Sequence, residues 1–518
     1  MKLQSTLSTL VAGLGLAGAA NAAEILVTTD VAVSTTWTAN NTYNLQNQIY
    51  VLPGATLTIE AGTLIASDTG IGGSLAVTRG AKIMVMGTRG EPVIFTSKAD
   101  VATWTGGNPR TGAWREGVNE WGNLTIMGSA YVAENAIVAN TPAPNAANYA
   151  NMEGLTEAFP GDTRVRYGGG NDNDDSGVVK YVSLRFGGKV IALANELNGL
   201  SLGGIGRATD IHHVDIMNNV DDGVEIWGGT VNLKYVNIWN IGDDTFDVDQ
   251  GYRGKVQFVL AVQGYAANAS QGSGVGDNVF ETDGAEQSDY QPVTTTVVYN
   301  ATVIGQPIAG DHATAWRDNA RVQYRNCLFM DLGERLVSFD NVDGDGGAGY
   351  GNNGTLSWAS TWTTNYNAVP AHANDFTTGT YATNYAAQTS GKLAQITDSI
   401  MFRNLNASAY TEANNRLVFD PANNNVDAGS LTADMPIKLI TRGAAVVKGG
   451  LTLLPVIKLD PRAANLATTS VATAPNDGFF TEAQYRGAFN SGDNWAIGWT
   501  AASAFGFFVT PKTRPGSL

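Results

Sequence analysis

Apolar and polar residues alternate in short runs along most of this chain. Two runs between positions 47 and 97 are related, Val51 to Ile59 being answered by Val77 to Val85. In each, alternation puts Leu57 and Ile59, then Ile83 and Val85, on one face of a strand. Gly54 and Gly80 stand where a sharp corner needs a residue tolerant of positive φ. Further runs occur at Trp121–Gly128, Val178–Phe186, Ile211–Ile216, Leu233–Ile238, Lys255–Val262, Thr295–Ile304, Arg321–Met330 and Ile396–Phe402. The sharpest signal is an echo at one fixed spacing. Val214-Asp215-Ile216-Met217-Asn218 returns as Val236-Asn237-Ile238-Trp239-Asn240, and Asp221-Asp222-Gly223-Val224-Glu225 as Asp243-Asp244-Thr245-Phe246-Asp247. That period, from Asp221 to Asp243, is about one turn of a parallel β-helix, whose coils stack apolar strand residues on one another. The pattern predicts an all-β solenoid, right-handed as parallel crossovers are, with Val214 stacked on Val236 and Ile216 on Ile238.

Where the alternation fails, the chain divides. Residues 1–22 read as an export signal: Lys2, a small apolar core from Leu7 to Ala20, and Ala20-Asn21-Ala22 as the cleavage site. That core is too short, and too rich in Gly and Ala, for a membrane span. Residues 23–130 hold the N-terminal cap and first coils, and 131–177, rich in Ala, Asn, Pro and Gly, a long excursion. The body follows over 178–430, with a second irregular insertion near 343–390. Residues 431–518 end in an aromatic cluster around Tyr485-Arg486-Gly487-Ala488-Phe489, Trp495 and Trp499. Its expected role is a C-terminal aromatic cap over the last coil's open end; a sugar-stacking platform is the alternative.

Composition sharpens this picture. A chain of 518 residues exceeds a single compact core, which a solenoid escapes by growing in one dimension. The 61 glycines and 15% charged residues suit short strands joined by tight turns. A net charge of −16 argues against nucleic acid and anionic membranes as partners, and favours divalent cations or simple solubility. Cys327 is the only cysteine, so no intramolecular disulfide forms, and its alternating surroundings predict a buried small hydrophobe.

Several segments together carry a family resemblance. Val51 to Ile65, Glu91 to Ser97, Trp121-Gly122-Asn123-Leu124, Asp221 to Glu225 and the closing Tyr485 to Phe489 with Gly498-Trp499-Thr500 are similar to secreted bacterial right-handed parallel β-helix proteins. The resemblance spans nearly the whole mature chain. It implies the pectate-lyase-like superfold and an exported or surface address. It implies no reaction, since lyases, hydrolases and adhesins share that superfold.

The chemistry of interest lies on one edge. Asp221, Asp222, Glu225, Asp243, Asp244, Asp247 and Asp249 fall on neighbouring coils, and positions one period apart are expected about 4.8 Å apart across the ladder. Stacked like charges need a cation, a shared proton or backbone N–H donors. Three readings therefore stand: a calcium site, since calcium takes several hard oxygen ligands; Asp residues capping turns; or a catalytic carboxylate set. Two loops carry a weaker calcium pattern, with Asp172 and Asp174 in one and Asp343 and Asp345 in the other. Each starts like an EF-hand but lacks the Glu at the twelfth position, where Ser183 and Asn352 stand.

The acidic pairs superficially resemble those of polygalacturonases, but no Gly-His-Gly follows, and Gly310-Asp311-His312 is not a match. Arg253 and Lys255 share a strand face; they are candidates for the proton-removing base of a lyase, but read more simply as ion-pair partners of the neighbouring acids. His212 and His213, adjacent on a strand, should face opposite sides. With 4 His and 1 Cys, zinc and copper sites are not expected. The expectation is an exported, calcium-stabilised structural or binding protein at the cell surface or beyond, with a polysaccharide or surface partner. The alternative is a polysaccharide-degrading enzyme, a uronate lyase or glycoside hydrolase, using the acidic edge over 221–255.

Overall fold

The computed structural model describes residues 23–509 apart from 137–147, 193–194, 266–275, 286–289, 308–311, 340–356, 367–389, 405–417, 430–431 and 449. The signal-like segment, most of the second insertion, and Asp343 with Asp345 lie outside the described residues.

Each coil of the body contributes a strand to three faces. In the regular part, Asp210–Asn219, Asn232–Ile241 and Lys255–Val262 each bend to supply the first two faces. Val224–Gly229, Phe246–Asp249 and Asn278–Asp283 supply the third, part of a nine-stranded parallel sheet. Val214 pairs with Val236 and Ile216 with Ile238, in the expected register. Inward side chains of all three faces join one core, including Leu57, Ile83, Val214, Ile238, Phe246 and Val259. The chain is a parallel β-helix.

The bend between the first two faces departs from simple alternation. Tyr181, His213, Tyr235, Phe258 and Asn300, one per coil, have φ between 50° and 62°. Left-handed backbone is costly for bulky residues and persists only where the surroundings hold it. Here the rings hold one another, Tyr181 on His213 at 4.1 Å, His213 on Tyr235 at 4.4 Å and Tyr235 on Phe258 at 4.9 Å between centroids. This bend overturns the expectation that His212 and His213 face apart, because their Nδ1 atoms meet at 2.7 Å. Burial, and then His212, pulls His213 down to about 3, so the contact is between neutral rings, one donating to the other.

The aromatic C-terminal segment covers a side of the solenoid, not the open end of its last coil. The outer side of the second face is itself apolar, with Met217, Trp239, Val262, Ile304, Met330 and Phe402 forming a second cluster with Phe489, Trp499 and Phe508. A sheet apolar on both sides must be covered on both. Trp239 stacks on Phe507 at 5.3 Å, while Arg89, near the first coils, donates to the carbonyls of Asn494 and Ile497.

The first insertion folds back as an antiparallel hairpin, Tyr149–Asn151 with Arg166–Gly168, onto the third face. Gly203 permits this: a Cβ there would lie 2.5 Å from the ring of Tyr167. Cys327 is fully buried, and burial pushes its thiol up to about 12. A thiol reagent should therefore label the native protein at least about a hundredfold more slowly than the unfolded chain. Equal labelling rates without denaturant would show this strand to be open.

Candidate metal centre

Alternation on the third face fixes the orientation of its acids. Val224, Ile226, Phe246, Val248 and Phe280 point into the core, so Glu225, Asp247 and Glu281 point out. Glu225 pairs with Asp247, and Asp247 with Glu281, giving three stacked carboxylates on three coils. Beside them runs a corner ladder. The N–H of Asp222 donates to Asn198 Oδ1 at 3.2 Å, that of Asp244 to Asp222 Oδ1 at 2.9 Å, and that of Asn278 to Asp244 Oδ1 at 2.6 Å. Each of these side chains therefore caps the backbone of the adjoining coil, using one oxygen.

Carboxylate oxygens converge beside this ladder. Carboxylate oxygens of Asp221, Asp222 and Asp243 lie within 4.8 Å of one another, and so do those of Asp222, Glu225 and Asp247. Asp222 belongs to both triads. At the ends of the ladder an amide relieves the charge: Asn198 Nδ2 donates to Glu225 Oε2, and Asn278 Nδ2 to Glu281 Oε2 at 2.8 Å. In the middle, Asp222 and Asp244 bring charge instead of donors.

The electrostatics follow. Burial, and then the neighbouring carboxylates, holds Asp221, Asp222, Glu225 and Asp244 far above the usual carboxylate range. The same causes lift Asp243 to about 7 and Asp247 to about 8, with Arg317 opposing at Asp247. Arg317 enters from the next coil and pairs with Glu281 and with Asp283, the latter at 2.7 Å. Asp247 Oδ1 and Asp283 Oδ1 are buried without a hydrogen-bond partner. Buried oxygens this close need protons or a cation. A hard, loosely coordinated ion such as calcium fits an all-oxygen donor set of this kind.

Five of the seven edge acids, namely Asp221, Asp222, Glu225, Asp243 and Asp247, make up the two triads. Asp244 serves the ladder, and Asp249 lies in register with Trp227 on the same strand pair. Asp172 and Asp174 lie elsewhere. Arg253 grips both oxygens of Asp172, at 2.5 and 2.9 Å, and Asp174 accepts from Ser129 and Ser176 at 2.7 and 2.8 Å. These pairs lock the first insertion against the stack. Arg253 and Lys255 form ion pairs with Asp172 and Asp477.

Sequence reasoning missed Glu281, Asp277, Asp283 and Arg317, because a loop lengthens the repeat that runs from Asp244 to Asn278. A usable signal was present. Asn198/Ser201, Asp222/Glu225, Asp244/Asp247 and Asn278/Glu281 all share one spacing within the pair. Glu153, which adds to the charge felt by Asp221 and Glu225, comes from the insertion and had no such signal.

Residues 28–400 match the family described as Pectate-lyase like beta helix domain. No curated protein and no solved structure matches the chain.

Proposed function

Because the chain belongs to the pectate-lyase-like β-helix domain family, we propose that it is an exported structural or binding protein whose third face is held together by calcium. The observation that carries this reading is the pair of carboxylate triads sharing Asp222, in a row where Arg317 is the cation at one end. The signal-like segment 1–22 supports export, and among the described residues no helix is long and apolar enough to cross a membrane. The hairpin beside the acidic row would meet a partner, with a polysaccharide as the expected class.

A cation bound only by the folded chain stabilises it by RT ln(1 + [L]/Kd), about 2.7 kcal/mol at a hundredfold excess over Kd. Chelator should lower the melting temperature of the wild type. The double variant Asp222→Asn, Asp244→Asn keeps the ladder acceptors, as Asn198 shows, and should lose most of that sensitivity. A wild-type melting curve unchanged by chelator would sink the calcium reading.

The enzymatic alternative has one specific support, Arg317 beside Glu281 and Asp283 next to the triads, since a uronate lyase needs a cation and a basic group together. Incubation with acidic polysaccharides, followed by ultraviolet absorbance of unsaturated product and by reducing ends, tests it. Absence of both signals with calcium present would leave the binding role.

A further inference from the structure

A cavity of about 470 Å³ lies away from the acidic row, over the outer side of the second face in the first coils. Its floor is Leu64 and Ile94, neighbours in register whose inward-facing companions Ile65 and Phe95 belong to the core. Trp104, from the excursion after Ser97, forms one wall and is held by its indole N–H on Asp100 Oδ1 at 3.2 Å. Trp499 and the short helix Ala501–Ala504 form another, tied down where the Ala501 N–H meets Asp215 Oδ2 at 2.7 Å.

Arg185 closes the inner end and is 2% exposed. Among the described residues its guanidinium makes one hydrogen bond, from Nε to Ser183 Oγ at 2.8 Å. Nη1 has no hydrogen-bond partner and sits 3.7 Å from Asp100 Oδ2. The ring of Phe505, 5.6 Å from the guanidinium carbon, offers it a π face but no acceptor atom. The two carboxylates that balance its charge are already engaged. Asp100 accepts from Thr96 at 2.9 Å as well as from Trp104, and Asp215 accepts from Ser183, Asn237 and Ala501. A buried guanidinium with donors to spare, at the end of a cavity that is apolar at Leu64, Ile94 and Trp104 and also lined by Glu91 and Arg110, is an incomplete hydrogen-bonding group.

Cavities of about 300–1,000 Å³ with apolar walls and few polar groups are typical small-molecule sites. A planar guanidinium selects a planar carboxylate, which it can engage with two parallel bonds. We propose that this cavity binds a small amphiphilic carboxylate, an aromatic or medium-chain carboxylic acid, with its apolar body on Leu64, Ile94 and Trp104 and its carboxylate on Arg185.

The test uses the mature protein in chelator, so that its outcome is independent of the cation reading. Binding of 2-naphthoate and octanoate is compared with 2-naphthol and octanol by titration calorimetry and by quenching of tryptophan fluorescence. Both acids should bind, and both neutral analogues at least about tenfold more weakly. Arg185→Met should erase that difference. Thr42→Trp, which fills the mouth beside Leu64 without touching Arg185, should abolish binding with the melting temperature kept. Equal binding of acid and alcohol, binding of neutral sugars instead, or no binding of either acid at millimolar concentration would overturn the proposal.

Discussion

Replacing Arg486 by leucine is expected to cost about 1.5–3 kcal/mol of stability, the range for losing the hydrogen bonds of a charged group. Arg486 is 1% exposed, and its guanidinium is held by backbone carbonyls. Nε donates to the carbonyl of Asp398 at 2.7 Å. Nη1 donates to those of Leu466 and Thr469 at 2.9 and 2.8 Å, and Nη2 to those of Asn424 and Ser470 at 3.1 and 3.4 Å. These carbonyls belong to the last coils and to the lateral cover, so one side chain joins the two. Leucine would leave part-buried carbonyls without these donors at the seam where the cover must be held. Lysine keeps the charge but not the planar fork, and should recover only part of the loss. Denaturant titration of the three proteins checks this. A leucine variant within about 1 kcal/mol of wild type would show that the cover is held by its apolar contacts alone.

The cation-free protein is expected to become more heat-stable as pH falls from about 8 to about 5, the reverse of ordinary acid destabilisation. Asp243 and Asp247 sit at about 7 and about 8 in the folded chain, and burial with the neighbouring carboxylates holds Asp222, Glu225 and Asp244 well above the usual carboxylate range. Unfolded, the same groups return to about 4. Between those limits the folded state binds the extra protons, so stability rises as pH falls and is lost as pH rises through the folded values. Each fully buried group contributes at most about 1.4 kcal/mol per pH unit. Asp243 and Asp247 are half-buried, and solvent screening reduces their share. Saturating calcium should flatten or invert the slope, because the ion binds the deprotonated oxygens. Melting temperatures across that range, with chelator and with calcium, decide it. A cation-free protein that loses stability steadily on acidification would show that the row is not charge-frustrated.

Parts of this molecule are legible without its coordinates, and the reason is local. Strand pairing follows one fixed period from the coil that begins at Asp210 to the next, so the period alone put Val214 on Val236 and Glu225 on Asp247. Alternation put Val224 and Phe246 inside and therefore Glu225 and Asp247 outside. The same period hid Glu281, because the loop between 262 and 278 lengthens the chain without moving the strand from its place in the stack.

Repeats in one dimension thus determined the solenoid, its register and the existence of an acidic edge, since each depends on residues one coil apart. Tertiary structure alone decided where the charges are answered. Arg253 follows closely on Asp249 in the chain yet neutralises Asp172, while Asp222 is left among carboxylates. It also decided that His213 turns to meet His212, and that the aromatic C-terminus lies along the second face and not across its end. Those outcomes depend on through-space packing and electrostatics between segments far apart in the chain, which no spacing along it encodes.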